Sequence, residues 1–108
     1  MTMKKKLPYS IIFKNINIDF FFDLHNNTQD PEVVSKIASI LINNVDKEIN
    51  RNKNISEGDL FQALALFVAS RVVVSSFDDR KILELFNEIL KKGIDNIRNG
   101  KKTKIGTS

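Results

Sequence analysis

The chain has no cysteine and no tryptophan, one histidine, four glycines and two prolines in 108 residues. Without a thiol there is no disulfide framework, no thiolate zinc site and no cysteine nucleophile. The glycines, Gly58, Gly93, Gly100 and Gly106, are scattered, so no phosphate-cradling loop can be built from neighbouring ones. No apolar run reaches the ~20 residues of a membrane-spanning helix, and Arg71 interrupts the best candidate, 60–77. There is no internal repeat and no long low-complexity segment. Met1 to Lys6 has the basic character of a secretory n-region, but Lys14, Asn15, Asn17 and Asp19 interrupt the apolar stretch after it. No export signal is read, and the expected location is cytoplasmic.

Charge is unevenly placed. The 17 basic and 13 acidic residues leave a net +4, yet Lys4, Lys5 and Lys6 lie at one end and Lys101, Lys102 and Lys104 at the other. All the acidic residues fall between them, so the body of the chain is slightly acidic. Residues 1–8 and 101–108 are expected to be basic flexible tails flanking one compact domain over 9–100.

Within 9–22, Ile16, Ile18, Phe20 and Phe22 alternate with Asn17, Asp19 and Phe21, the period of a half-buried strand. Ile11 and Phe13 have the opposite parity, so the phase changes near Lys14-Asn15. Either a hairpin turns there or a bulge interrupts one strand. Lys-Asn is a poor two-residue turn compared with Asn-Gly.

Three helices come next. Helix 1, 31–50, opens with Asp30 as N-cap and Pro31 in the first turn, and Val34, Ile37, Ala38, Leu41, Val45 and Ile49 form its apolar stripe. Helix 2, 57–74, starts from the capping-box variant Ser56-x-x-Asp59. At 100° per residue its apolar side chains cover the whole circumference, which predicts burial on all sides; the β-branched run Val72 to Val74 weakens its end. Helix 3, 78–99, carries the stripe Ile82, Leu83, Phe86, Ile89, Leu90, Ile94 and is stopped by Asn99-Gly100. The expected fold is mainly α: three long helices, as a helical bundle with helices 2 and 3 as an αα-hairpin, preceded by one strand or a β-hairpin.

Catalytic groups are sparse. His25 with Asp23, Asp30 and Glu32 could be imagined as a metal site, but acids beside a helix start act as caps, and a zinc site needs three or four ligands. Asp78-Asp79 is explained by the first turn of helix 3. Ser35, Ser39, Ser56, Ser70, Ser75 and Ser76 sit on helices or at their caps. No enzyme, metal or cofactor is expected.

The surplus of apolar surface on helix 2 points to a homodimer, or to another protein as partner. The candidate interface comprises Phe20, Phe21, Phe22, Phe61, Leu64, Phe67 and Val68. An alternative is a small nucleic-acid-binding regulator: a strand followed by helices resembles, in arrangement alone, ribbon-type DNA readers. It would use Lys4, Lys5, Lys6, Lys14, Asn15 and Asn17. No membrane association is expected.

Overall fold

The computed structural model describes residues 5–106. Its elements are β1 (Lys6–Phe13), β2 (Ile16–Asp23), α1 (Pro31–Arg51), α2 (Glu57–Val74), α3 (Asp79–Arg98) and β3 (Lys101–Lys104).

The phase change at Lys14-Asn15 is a hairpin. β1 and β2 pair antiparallel from Phe13↔Ile16 outward to Lys6↔Asp23. Lys14 and Asn15 both take the left-handed conformation, with φ of 46° and 60°. Positive φ at both central positions is the type I′ geometry whose twist suits a two-residue hairpin. The register puts Leu7, Tyr9, Ile11 and Phe13 on one face with Phe22, Phe20, Ile18 and Ile16. The opposite parities in the sequence are therefore one continuous apolar face folded back on itself.

The expected fold class needs correction in two respects. First, the sheet has three strands, in the order β1-β2-β3. Lys101–Lys104, expected as part of a disordered tail, pairs antiparallel with β2 from Asp19↔Lys101 to Ile16↔Lys104. A further bond from Ile105 N–H to the Asn15 carbonyl, 2.7 Å, carries the pairing to the turn. Lysine is a poor strand former, and here the vacant hydrogen-bonding edge of β2 imposes the conformation. Second, the helices among the described residues build no buried bundle core. α1 and α2 contain no buried residue and α3 buries only Gly93. Among the described residues the buried hydrophobic side chains are Leu7 and Phe20, both on the sheet.

The chain groups into two units. The first contains residues 1–35 and 86–108, and thus the sheet and the second half of α3. There α3 meets the apolar face at Gly93, where a Cβ would lie 2.7 Å from Phe22 Cε1. Gly100 passes so close to β2 that a Cβ would sit 2.8 Å from the Asp19 carbonyl oxygen and 2.9 Å from Ile18 Cγ2. Its lack of a side chain lets the chain leave α3 directly into β3.

The second unit contains residues 36–85, with α2 at its centre in sequence. Ser56 caps α2, its hydroxyl accepting from Asp59 N–H at 3.0 Å. The valines do not end the helix early. It runs to Val74, and Ser75 closes it through N–H bonds to the Arg71 and Val72 carbonyls.

Candidate interaction surface

α2 carries apolar side chains all round, and none is buried. Phe61 is 64% exposed, Leu66 71% and Phe67 49%. Leu64 is exposed as well, and Val68 is half-buried. The burial on all sides expected for this helix is thus not met within the chain. Polar groups do not account for the exposure. The Ser70 hydroxyl bonds back to the Leu66 carbonyl at 2.9 Å and is satisfied inside the helix. The charges lie at the ends, Glu57 and Asp59 in the first turn and Arg71 in the last, where they complement the helix dipole. By contrast α1 and α3 each have a polar face. On α3 it carries the Glu88–Lys92 ion pair at 3.3 Å.

The phenylalanine triplet divides according to the pleat of β2. Phe20 is buried and packs its ring on Tyr9, centroids 6.1 Å apart and tilted by 58°. Phe22 shares that face and meets Gly93. Phe21 points to the other face and is 62% exposed. Only Phe21 of the three therefore offers a large free apolar surface.

The basic candidates are also spread out. Lys4 lies outside the described residues. Lys5 donates to the Thr28 carbonyl at 2.6 Å. Lys6 begins β1. Lys14 holds its ammonium 5.3 Å from the centre of the Phe13 ring, in cation–π range. Asn15 occupies the turn, and Asn17 donates to Asp19 Oδ1 at 2.9 Å. The structure adds three lysines to this region, because β3 brings Lys101, Lys102 and Lys104 beside Asp19, Ile18 and Ile16. Sequence reasoning assigns them to a tail, because Thr103 alone among these four residues favours a strand. Asp19, amid these groups, is held below the usual carboxylate value of 3.8 by hydrogen bonds from Ser10 and then Asn17, with a smaller effect from Lys101.

His25 lines a polar recess of about 310 Å³ together with Lys5, Asp23, Glu88, Lys92 and Asn96. Most of its polar groups have partners. His25 Nδ1 accepts from Asn27 N–H at 3.1 Å, Asp23 bonds to Asn96, and Glu88 pairs with Lys92. The Asp23–Asn96 bond ties the end of β2 to α3. Among the described residues no three His, Asp or Glu side chains gather as a metal site, and no helix is long and apolar enough to cross a membrane.

No family model matches the chain, and neither a curated protein nor a solved structure is similar to it.

Proposed function

We propose that this chain is an interaction module that completes its own fold by associating with a second copy of itself. The observation that carries this reading is that residues 36–85 contain no buried residue. In the same span 13 large hydrophobic side chains, from Ile37 to Leu83, are exposed. Each is worth ~1.5–3 kcal/mol when fully buried, so covering even four or five of them would contribute about as much as the ~5–15 kcal/mol of a whole domain. At roughly 50–80 Å² apiece these side chains supply about the ~800 Å² per partner of a stable interface. Closed two-fold dimers are the commonest assembly of identical chains. Light scattering after size exclusion, at low and at high salt, tests the reading. The expected mass is twice the 12.3 kDa of the chain at both. A monomer at both salts overturns it.

A second reading, binding to a nucleic-acid backbone, is supported by one feature: β3 adds Lys101, Lys102 and Lys104 beside the hairpin that carries Lys14 in its turn and Asn17 on β2. Against it, Asp19 faces Lys101 across the ladder, and Lys102 donates to the Arg98 carbonyl at 2.9 Å. Phosphate binding weakens steeply with salt, and an apolar interface does not. Fluorescence anisotropy with labelled single- and double-stranded DNA and RNA, at rising salt, separates the two.

A further inference from the structure

We propose that the turn end of the β1–β2 hairpin seats in the headgroup layer of an anionic lipid bilayer, burying Ile12, Phe13, Ile16 and Ile105 among the lipids and setting Lys14 and Lys104 against their phosphates. This goes beyond self-association and does not depend on it, since all six residues belong to the first unit.

The apolar side chains are exposed on both faces of the sheet. Ile12 is 71% exposed, Phe13 60%, Ile16 37% and Ile105 42%. Phe13 pairs with Ile16 across the ladder and shares its face, while Ile12 points to the opposite one. Ile105 follows β3 directly and is tied to the turn by its N–H bond to the Asn15 carbonyl. Farther along the sheet Phe20 is buried and Phe22 meets Gly93, so contact with α3 is made at the other end. A folded partner would cover one face of such a two-sided end. A fluid headgroup layer closes round both.

The charges match that layer. Residues 11–18 and 102–106 hold Lys14, Lys102 and Lys104 and no acid. β3 sets Lys104 beside Ile16. Lys14 folds its ammonium back to 5.3 Å from the centre of the Phe13 ring. A lysine so placed keeps its charge at the polar boundary while its stem lies along apolar surface. Lys102 donates to the Arg98 carbonyl, which leaves Lys14 and Lys104 as the two charges assigned to lipid. Each helix, by contrast, mixes acid with base: Glu32 with Arg51, Glu57 with Arg71, Asp79 with Arg98. Apolar side chains accompanied by lysine alone suit the anionic surface of a bilayer. A nucleic acid would use the lysines and not the rest, because bases stack on aromatic rings. Three of the four apolar side chains are isoleucine, and the fourth already has Lys14 over its ring. The expectation of no membrane association rested on the lack of a spanning segment, and surface binding needs none.

Vesicles of phosphatidylcholine, with and without about a third phosphatidylserine, are the probe. The wild type is expected to bind the anionic vesicles at least about tenfold more tightly than the neutral ones in co-sedimentation, and Lys14→Gln/Lys104→Gln to lose most of that difference. The chain has no tryptophan, so an introduced one reports depth without background. Phe13→Trp and Ile12→Trp, two probes so that one can fail to fold, should shift their emission to the blue on anionic vesicles and be quenched by brominated acyl chains. Phe21→Trp, about 17 Å from Ile16 along β2, should do neither. A wild type that does not co-sediment with anionic vesicles overturns the proposal. Quenching of Phe21→Trp equal to that of the turn-end probes overturns it too. So does a response of Phe13→Trp to a single-stranded oligonucleotide and not to vesicles, which assigns the turn end to nucleic acid.

Discussion

Asn96 of α3 and Asp23 at the end of β2 are joined by two hydrogen bonds running in opposite directions. The Asp23 N–H donates to Asn96 Oδ1 at 2.9 Å, and Asn96 Nδ2 donates to Asp23 Oδ2 at 3.0 Å. The residues are 73 positions apart in sequence, and both are half-buried. Asn96→Ala leaves an N–H and a carboxylate without partners and should cost about 1–3 kcal/mol, read from urea denaturation at neutral pH. Asn96→Asp adds like charge beside Asp23. It should be unstable near neutrality and regain stability when the carboxylates are protonated in acid. A variant as stable as the wild type would show that this pair does not hold α3 to the hairpin.

Gly93→Ala should destabilise the first unit, because the new methyl would lie 2.7 Å from the Phe22 ring. Overpacking of this kind costs ~1–3 kcal/mol. Phe22→Leu in the same chain should recover part of the loss, whereas Phe22→Leu alone should be destabilising. Thermal melts of the four proteins form a cycle, and simple additivity would mean the two residues do not meet.

Asp19 predicts a pH dependence. Its carboxyl is held low by Ser10, then Asn17, then Lys101, so the folded protein favours the charged form. That contribution is present above the ordinary value of 3.8 and is lost as pH falls through the lower folded value. Ser10→Ala should move the Asp19 titration upward, measured by carboxyl NMR. An unmoved titration would remove Ser10 as its main cause.

The turn is improvable. Lys14 and Asn15 both occupy left-handed φ, where a lysine side chain is strained. Lys14→Asn with Asn15→Gly supplies the residues that type I′ turns prefer and should stabilise the hairpin by about 1 kcal/mol. An unchanged or lower melting temperature would count against the type I′ assignment.

Ser56→Ala should cost about 0.5–2 kcal/mol through the lost bond to Asp59 N–H. The loss is read from chemical denaturation of the full chain, followed by its helical signal.

Legibility in the sequence tracks the range of the interaction. Helix starts are local and can be read. Asp30 Oδ1 accepts from Glu32 N–H at 3.0 Å, Ser56 from Asp59, and Asp78 Oδ1 from Arg80 N–H at 3.3 Å. The alternation in β2 is also local, although Lys14-Asn15 masks the hairpin because neither residue prefers positive φ as glycine does. β3 is not legible, since one threonine among three lysines is too weak a strand signal and its cause lies in β2, far away in sequence. Gly100 reads as a helix stop, but the reason it must be glycine is the backbone of Asp19 2.8 Å away. The candidate interface is legible as an excess of apolar side chains on α2, while the division of the phenylalanine triplet needs the pleat to be fixed. The lysines of β3 join the sheet region for the same reason that β3 escapes a reading by propensity.

The pairing of β2 with β3 imposes an order of events. The hairpin is local and can close in microseconds, but Ile16 and Ile18 meet Lys104 and Lys102 only after almost all the chain between them has been made. Until then the edge of β2 from Ile16 to Asp19 is free and can template another strand. The late arrival of four residues, three of them lysines, both fills that edge and presents the next with a row of charge, so strand addition stops there. Loss of Lys101–Lys104 would therefore be felt first as aggregation of newly made chains.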